Sequence, residues 1–481
     1  MRIAFATSEA VPFAKTGGLA DVSGALPKAL KSLGHEPMVF MPRYRGMKGE
    51  MEKIADTTII IGNEEKECTI FRGEAYNIPF YFIWNEDYFD REGLYQEEGV
   101  DYPDNWARFA FFSKATIETI KLLDLRPDIL HCNDWQTGLI PAYISLSKDP
   151  YFSNTATVFT IHNLAYQGIF PKDVLPKIGI GWEAFNMDGI EFYGNVNFMK
   201  AGLVYSDIIN TVSETYSKEI QLPEFGYGLD GVLRWRSDSL YGILNGIDYE
   251  EWDPRTDKVI FKNYGPEDLE GKEENKRMLQ RELDLPERDV PVMGMVSRLA
   301  EQKGLDLMEE VIDELMKWDV QLVILGTGTP YYHKLLLDMK GSYPHKISVN
   351  LRYDPILANK IYAGSDMFLM PSKYEPCGLG QMIALRYGTI PIVHKTGGLA
   401  DTIQDYDPQL EIGNGFSFDR YTPVSFLGAL ARAMFTYFDR DKWKRLAKRG
   451  IEKEDFSWDR SAAKYEELYQ KARGKRAARG G

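Results

Sequence analysis

Short apolar segments alternate with longer amphipathic segments along this chain, and the alternation begins twice. Apolar runs bounded by turn residues predict strands that are buried on both faces, as in a parallel sheet covered by helices. The amphipathic stretches between them predict those helices. A repeated strand–helix order of this kind is typical of βαβ units. The sequence therefore predicts an α/β fold built from two series of βαβ units, each around a buried parallel sheet.

The two series differ in regularity. In the first series the predicted strands are Ile3–Thr7, Pro37–Met41, Ile129–Asn133, Thr157–Ile161, Asp207–Val212 and Leu240–Leu244, and the predicted helices include Trp106–Leu123 and Ser213–Gln221. The less regular stretch Thr57–Trp84 predicts consecutive strands inserted into that series. In the second series the predicted strands are Val290–Ser297, Gln321–Leu325, Ile347–Leu351, Asp366–Met370 and Ile390–Val393, and the predicted helices are Leu305–Trp318, Ala358–Ala363 and Leu379–Arg386.

A chain of 481 residues is too long for one hydrophobic core and suits two α/β domains. Asn245–Arg255 is rich in turn formers and charge, which predicts a hinge between them. We expect an N-terminal domain over residues 1–245 and a C-terminal domain over 246–456. Residues 457–481 are expected to form a helix, near Ser457–Ala472, followed by a basic tail.

The formal net charge of −14 disfavours non-specific binding to nucleic acid or to anionic membranes. The three cysteines, Cys68, Cys132 and Cys377, are widely separated and form no CxxC pair, so neither a disulfide framework nor a zinc site is expected. No apolar run is long enough to span a bilayer, and no secretory leader is evident. The expected location is the cytoplasm.

The heptapeptide KTGGLAD occurs twice, at Lys15–Asp21 and at Lys395–Asp401, each time between a predicted strand and a predicted helix. A glycine pair such as Gly17-Gly18 lets the backbone approach a ligand and presents the N–H groups of a helix start to an anion. A tight turn beside a surface lysine is the alternative for a single copy. The repetition favours two related domains that face each other across a ligand-binding cleft.

Two further loops at strand ends carry candidate groups. Arg298 and Lys303 lie in the sequence SRLAEQKG and could converge on a diphosphate, although loop cations are more often only solvated. Glu375 lies in PSKYEPCGLG and could bond sugar hydroxyls or stabilise positive charge at an anomeric carbon, or simply complement a helix dipole. Cys377 alone is more typical of a small core residue than of a nucleophile.

His162, at the end of a predicted strand in TIHN, is a candidate for the site, and His131 has a similar claim. Asp134 could be a helix cap or a site carboxylate. Tyr95 lies in an aromatic and acidic stretch between Trp84 and Trp106 that suits stacking on sugar rings, with a packed loop as the alternative. There is no Walker A motif, no GxGxxG in the first βαβ unit and no DxD at a strand end, so NTP hydrolysis, nicotinamide chemistry and a metal-bridged diphosphate lose support.

Five motifs in a fixed order resemble those of bacterial glycogen synthases and plant starch synthases: KTGGLADV, HNLAYQG, SRLAEQKGLD, PSKYEPCGLGQ and KTGGLADT. The resemblance covers nearly the whole chain. It implies the GT-B fold, with two Rossmann-like domains facing across a cleft and a C-terminal helix that returns to the first domain. It also implies retaining transfer of glucose from ADP-glucose to an α-1,4-glucan.

The resemblance assigns roles residue by residue. Glu375, His162, Arg298 and Lys303 would be the catalytic set, with the two cations on the diphosphate and the other two on the glucose. The donor site would further include Lys15, Gly18, Asn245, Tyr353 (against the base), Cys377, Gly397, Gly398 and Leu399. Tyr95 and Asp134 would border the acceptor side. Gly380 stands where the family pattern leads us to expect threonine, which puts one contact to the diphosphate in doubt.

ADP-glucose and glycogen are the expected partners, with no cofactor, no metal, no nucleic acid and no membrane. Residue chemistry alone leaves alternatives. A related GT-B enzyme could use UDP-glucose and a small acceptor, a glycan phosphorylase would carry pyridoxal phosphate, and a non-catalytic protein would bind glucan without releasing ADP. Hinge closure around the donor is expected to exclude water.

Overall fold

The computed structural model describes residues 1–479. The chain divides into two compact units. The first is Met1–Gly246 together with the C-terminal helix that begins at Trp458, and the second is Ile247–Ser457. Among residues 1–479, no helix is both long enough and apolar enough to span a membrane.

The first unit is built on a sheet with the strand order β14-β13-β9-β8-β1-β2-β5-β4-β3. The strands of this unit are β1 (Arg2–Ala6), β2 (Glu36–Pro42), β3 (Glu52–Ile61), β4 (Glu64–Ala75), β5 (Ile78–Trp84), β6 (Gln96–Glu97), β7 (Val100–Asp101), β8 (Ile129–Asn133), β9 (Ala156–Ile161), β10 (Ile169–Pro171), β11 (Glu191–Phe192), β12 (Asn195–Asn197), β13 (Ile208–Thr211) and β14 (Leu240–Gly242). All predicted strands of the first series are confirmed within a few residues.

The side chains of β1 show why this strand is central. Ile3 and Phe5 point to one face of the sheet, and Ala4 and Ala6 point to the other, and all four are fully buried in two separate core clusters. β1 pairs in parallel with β2 on one side and with β8 on the other. Helices must therefore cover both faces, which is the arrangement that the apolar runs predict.

The predicted inserted strands are also present. β3 and β4 form an antiparallel hairpin, β4 pairs antiparallel with β5, and β5 pairs in parallel with β2. The helices of the first unit up to Gly246 are α1 (Gly18–Ser32), α2 (Glu86–Phe89), α3 (Asn105–Leu122), α4 (Leu139–Ser147), α5 (Phe198–Tyr205), α6 (Glu214–Glu219) and α7 (Asp230–Trp235).

The second unit is built on a parallel sheet with the order β17-β16-β15-β18-β19-β20. Its strands are β15 (Val292–Val296), β16 (Gln321–Leu325), β17 (Ile347–Asn350), β18 (Met367–Met370), β19 (Ile390–His394) and β20 (Phe416–Phe418). Its helices are α8 (Glu270–Glu282), α9 (Leu305–Leu315), α10 (Pro330–Ser342), α11 (Pro355–Gly364), α12 (Gly380–Arg386), α13 (Gly397–Thr402), α14 (Pro423–Phe438) and α15 (Arg440–Lys453). The predicted strands and helices of the second series are confirmed.

The C-terminal helix α16 (Trp458–Arg479) belongs to the first unit. Trp458, Tyr465 and Tyr469 pack in the same core cluster as Ile3 and Phe5 of β1. The Tyr469 hydroxyl lies 2.8 Å from Nδ1 of His131, and Asn210 donates a hydrogen bond to the Tyr465 hydroxyl. The prediction that this helix ends near Ala472 is wrong, because the helix continues to Arg479. The end of the predicted basic tail lies outside the described residues.

Candidate active site

In the first unit the polar residues that follow β1, β8 and β9 lie at one edge of the sheet, since the three strands are parallel neighbours. Asp134 follows β8 directly, and His162 follows β9 directly. Asp134 has a φ of +56°, which is uncommon for a residue with a side chain and often marks a functional position. The structure thus brings two of the predicted site residues together at the carboxyl ends of the strands, the usual ligand-binding edge of such sheets.

The Asp134 carboxylate accepts a hydrogen bond from the backbone N–H of His162 at 2.7 Å. Burial raises the pKa of Asp134 to about 7, opposed by the backbone hydrogen bonds from His162 and Asn163, and the charge of Glu9 raises it further. A carboxyl group with this pKa exchanges its proton near neutral pH. The alternative role of Asp134 as a side-chain helix cap is not supported, because its carboxylate bonds the His162 segment instead.

The His162 ring has a defined tautomer. Its Nε2 lies 2.9 Å from Oδ1 of Asn133, and the Asn133 amide is oriented by a hydrogen bond from its Nδ2 to the carbonyl of Ala6. Since Oδ1 can only accept, Nε2 carries the hydrogen and Nδ1 is left as an acceptor. Burial lowers the pKa of His162 to about 3, so the ring is neutral at physiological pH. Such a histidine can orient a hydroxyl group but brings no positive charge.

His131 is a structural residue. It is fully buried, and its two ring nitrogens lie 2.8 and 2.7 Å from the hydroxyls of Tyr469 and Thr160. Burial lowers its pKa to about 3. The sequence made His131 and His162 equal candidates for the site. The structure distinguishes them, because both ring nitrogens of His131 have protein partners, whereas Nδ1 of His162 is left as an acceptor.

Glu9 is a site residue that the sequence reasoning missed. It is almost completely buried, and its carboxylate accepts hydrogen bonds from the backbone N–H and the side-chain hydroxyl of Thr16, at 2.5 and 2.8 Å. Burial raises its pKa to about 7, partly offset by the hydrogen bonds from Thr16 and Gly17. Glu9 therefore fixes the turn that begins the first KTGGLAD copy. The available signal was a carboxylate three residues beyond the end of a buried strand.

Two other predicted residues of this unit lie nearby. The Tyr95 hydroxyl is 2.7 Å from Oγ of Ser8. Burial raises the pKa of Tyr95 well above its ordinary value, and the charge of Glu9 raises it further. Lys15 bonds Asp21 at 2.6 Å within the same turn that leads into α1, which begins at Gly18. Asn245 is buried, and its Oδ1 has no protein partner within the described residues.

In the second unit the centre of the site is an ion pair. Nζ of Lys303 lies 3.0 and 2.7 Å from the two carboxylate oxygens of Glu375, and the Ser372 hydroxyl donates to the same carboxylate at 2.9 Å. Lys303 follows β15, and Glu375 follows β18, which is a parallel neighbour of β15. The two residues are therefore brought together across 72 positions of sequence by the sheet.

The two loops that carry the pair are tied to each other. The backbone N–H of Lys373 donates to the carbonyl of Gln302, and the Gln302 side chain donates to the carbonyl of Tyr374. Gly304 permits the approach, because a Cβ there would lie 2.1 Å from the carbonyl oxygen of Pro371, and its φ is +76°. A glycine is therefore required after Lys303 by the packing of the two loops, which the sequence alone did not show.

The second KTGGLAD copy packs directly against the Glu375 loop. The N–H of Gly398 donates to the carbonyls of Glu375 and Pro376. A Cβ on Gly397 would lie 1.9 Å from the Glu375 carbonyl oxygen, and one on Gly398 would lie 2.0 Å from that of Cys377. Leu399 is fully buried and Cys377 is buried. Gly397, Gly398, Leu399, Cys377 and Glu375 therefore form one packed cluster.

Arg298 and Tyr353 are the more exposed candidates. Arg298 lies in the β15 loop with Nη2 3.5 Å from Oε1 of Gln302. Tyr353 lies between β17 and α11, also after a strand end, and is largely exposed. Both are on the edge of the sheet that carries Lys303 and Glu375. Within residues 1–479 no group of three or more His, Cys, Asp or Glu is arranged to hold a metal ion.

Two Rossmann-like units, with polar site residues following adjacent parallel strands in each, place the chain in the GT-B class of glycosyltransferases. The starch synthase catalytic domain family matches residues 2–235, and the glycosyl transferases group 1 family matches residues 278–451. The chain is 51% identical to a glycogen synthase of Geotalea daltonii, with 98% of each chain covered. It is 49% identical to a glycogen synthase of Moorella thermoacetica, with 99% of this chain and 98% of that one covered. The chain belongs to the glycogen/starch synthase family.

Solved structures agree. The catalytic domain of starch synthase IV from Arabidopsis thaliana, bound to ADP and acarbose, superposes with a TM-score of 0.90 at 35% identity and covers 98% of this chain and 99% of that chain. Sucrose-phosphate synthase from Thermosynechococcus elongatus superposes with a TM-score of 0.61 at 16% identity, covers 98% of each chain and shows a shared fold. The predicted fold class, the predicted family and the predicted glucan-elongating activity are confirmed.

Proposed function

We propose that this enzyme transfers glucose from ADP-glucose to an α-1,4-glucan with retention at the anomeric carbon and releases ADP. The observation that carries the proposal is the Lys303–Glu375 pair, held against the tightly packed Gly397–Gly398 turn. It places a cation and a carboxylate side by side, as needed for a leaving group that becomes more negative and a sugar that becomes more positive. ADP-glucose is the donor typical of the family.

Lys303 and Arg298 are proposed to bind the diphosphate. The Lys303 ammonium has three N–H donors, and two of them serve the oxygens of Glu375, which leaves one for a phosphate oxygen. The guanidinium of Arg298 can bond two phosphate oxygens in its plane. As the bond from the anomeric carbon to the phosphate oxygen breaks, both cations stabilise the charge on ADP, and no metal ion is required for it. Chelation by EDTA should therefore leave the rate unchanged.

Retention is proposed to proceed without a covalent glucosyl–enzyme. The Glu375 carboxylate accepts hydrogen bonds from Lys303 and Ser372, so both of its oxygens are occupied and its nucleophilicity is reduced. The acceptor 4-hydroxyl would attack on the face that ADP leaves, its oxygen bonding the anomeric carbon while its proton passes to the departing phosphate oxygen. Glu375 would stabilise the oxocarbenium-like sugar. A trapped adduct on Glu375, detected by mass spectrometry, would overturn this pathway.

The first-unit residues are proposed to orient the glucose and the acceptor. Neutral His162 offers Nδ1 as an acceptor for a sugar hydroxyl, in a position fixed by Asn133. Asp134 and Tyr95 are proposed to border the acceptor. Lys15 and the backbone at Gly18, which begins α1, are proposed to help bind the anionic donor.

The remaining donor contacts are proposed from the family pattern. Tyr353 has an exposed ring suited to stacking on the base, and the buried Oδ1 of Asn245 can accept a hydrogen bond from the donor. Cys377 and Leu399 would hold the Gly397–Gly398 turn in position, and the backbone of that turn would bind the diphosphate. The three cysteines are all buried thiols, which suits action in the reducing cytoplasm.

The decisive experiment is ADP release from ADP-glucose with and without glycogen. Glycogen-dependent ADP release, with incorporation of labelled glucose into the polymer, would support the proposal. A higher rate with UDP-glucose and a small acceptor would favour the related transferase instead. Glycogen binding without release of either nucleotide would favour a non-catalytic protein.

A further inference from the structure

A strained tyrosine forms the tip of a small hairpin in the first unit. β11 and β12 pair through Phe192 and Asn195, which leaves Tyr193-Gly194 as a two-residue turn with φ values of +47° and +80°. Such turns favour asparagine or glycine at the first position, because a bulky side chain is strained at positive φ. Tyr193 is nevertheless there, and it is 79% exposed. Neither local conformation nor core packing accounts for an aromatic residue at this position.

The Tyr193 ring is held in place on one side. It meets the Phe192 ring at 4.7 Å between centroids and at 85° between planes. A Cβ on Gly228 would lie 3.2 Å from Cε2 of Tyr193 and 3.0 Å from Cζ of Phe192, so both rings rest against a backbone without a side chain. An exposed ring with a supported edge is preorganised for stacking and loses little conformational entropy on binding.

The hairpin is anchored to the segment that carries His162. β12 pairs with β10, which begins at Ile169. The backbone N–H groups of Phe198 and Met199, just after β12, donate to the carbonyls of Gly168 and Gln167.

Gln167 links this segment to the support of the Tyr193 ring. Its side chain accepts a hydrogen bond from Asn197 at 2.7 Å and donates one to the carbonyl of Tyr227 at 3.1 Å. Tyr227 immediately precedes Gly228, on which the ring rests. Gln167, five residues after His162 in the chain, therefore connects the segment that follows the candidate site to the backbone that supports Tyr193.

We propose that Tyr193 is a stacking platform for the α-glucan acceptor, on a hairpin that is bonded to the segment following His162. The inference rests on the proposed function and adds a specificity-determining residue to it. The apolar C–H face of a glucose unit packs on an aromatic ring, and the tyrosine hydroxyl can bond a sugar hydroxyl. A chain long enough to reach from the reacting end to the hairpin gains this contact, and a short acceptor does not.

The test is Tyr193→Asn, with Tyr193→Phe beside it. Asparagine suits positive φ, so Y193N should fold and unfold at the wild-type temperature or above. Its KM for glycogen and for maltoheptaose should rise about three- to tenfold, the range that an aromatic contact supplies, with a change of less than twofold in kcat. The KM for maltotriose should not rise. Y193F should keep most of the wild-type affinity, because it keeps the ring.

The chain contains a matched control. Tyr76-Asn77 is the two-residue turn between β4 and β5, with φ values of +55° and +56°, and Tyr76 is 46% exposed. It precedes β5 and so lies at the edge of the sheet opposite the ends of β1, β8 and β9. Tyr76→Asn makes the same chemical change in the same turn type and should leave every KM unchanged.

Glycogen binding is also measured directly, as retardation of each variant in gels that contain glycogen, which requires no turnover. Loss of retardation in Y193N but not in Y76N would support the platform. A glycogen KM and a retardation equal to wild type in Y193N would overturn it, as would equal effects of Y193N and Y76N. If the wild-type enzyme releases no ADP at all, the proposed function fails, and the gel result still decides whether Tyr193 binds glucan.

Discussion

The Lys303 ammonium bonds both carboxylate oxygens of Glu375, and the two side chains are only 16% and 8% exposed. A largely buried ion pair of this kind depends on both partners, because removing one leaves the other as a charge without compensation. The pair also joins the two loops that carry the proposed donor site. Its function and its effect on stability can be separated experimentally.

Lys303→Ala is expected to lower the transferase rate by about a hundred- to a thousandfold, as expected when one charge-stabilising donor is lost. It should also lower the free energy of unfolding by about 3–5 kcal/mol, because Glu375 stays buried without its cation. ADP release and thermal unfolding measure the two effects. The double variant K303A/E375Q removes both charges and should recover most of the lost stability without recovering activity. Wild-type turnover in K303A would remove its assigned role.

The two KTGGLAD copies should respond differently to the same substitution. Gly397→Ala places a Cβ against the Glu375 carbonyl at a φ of +47° and should destabilise the protein by about 3 kcal/mol and abolish activity. Gly17→Ala meets no heavy atom closer than Oε1 of Glu9 at 3.9 Å, so the fold should be unaffected. Thermal unfolding of the two variants provides the comparison. Equal unfolding temperatures would show that the second turn can rearrange.

Stability should fall as the pH rises through the range in which Glu9 and Asp134 stay protonated only in the folded state. Their pKa values rise from ordinary values of 4.5 and 3.8 to about 7. Between about pH 4 and pH 7 the folded protein therefore holds protons that the unfolded chain releases, and the stability present at low pH is lost as the pH approaches 7. Glu9→Gln should flatten this dependence.

The measurement is the unfolding temperature of wild type and E9Q at pH 5, 6, 7 and 8. Glu65→Gln, at an exposed position on β4, serves as the control and should follow the wild-type curve. A wild-type curve that rises from pH 5 to pH 7 in parallel with that of E9Q would contradict the protonated state of Glu9 in the fold.

Restoring threonine at Gly380 should not improve this enzyme. A Cβ at that position would lie 2.9 Å from Cε1 of Phe368 and 3.3 Å from the Tyr362 hydroxyl. Gly380→Thr is therefore expected to destabilise the second unit by about 1–3 kcal/mol, without lowering the KM for ADP-glucose. Adding Phe368→Leu should relieve the contact and restore the unfolding temperature. An unchanged unfolding temperature in G380T alone would show that the aromatic side chains move aside.

The sequence predicted the strands after which the site residues lie, and several of the helices between them, because their periodicity is local. α3 was predicted one residue from its observed bounds, and β8 at its observed bounds. The helices α10 and α14 were not predicted, although each begins at a Thr-Pro pair typical of a helix start. Glu9 was missed because no motif surrounds it and its role depends on the fold.

The sequence alone determined the two βα series, the strand-end positions of His162, Asp134, Lys303 and Glu375, and the glycine pairs, because all of these depend on neighbours within a few residues. Only the tertiary structure decided which side chains are in contact, and which of the buried carboxyl groups hold a proton. Lys303 bonds Glu375 because two parallel strands end side by side, and Glu9 and Asp134 have pKa values near 7 because the fold removes water from them. The two identical heptapeptides also differ because of the tertiary structure: Gly17 is extended and has open space around it, whereas Gly397 has a φ of +47° and rests against the backbone of a remote loop.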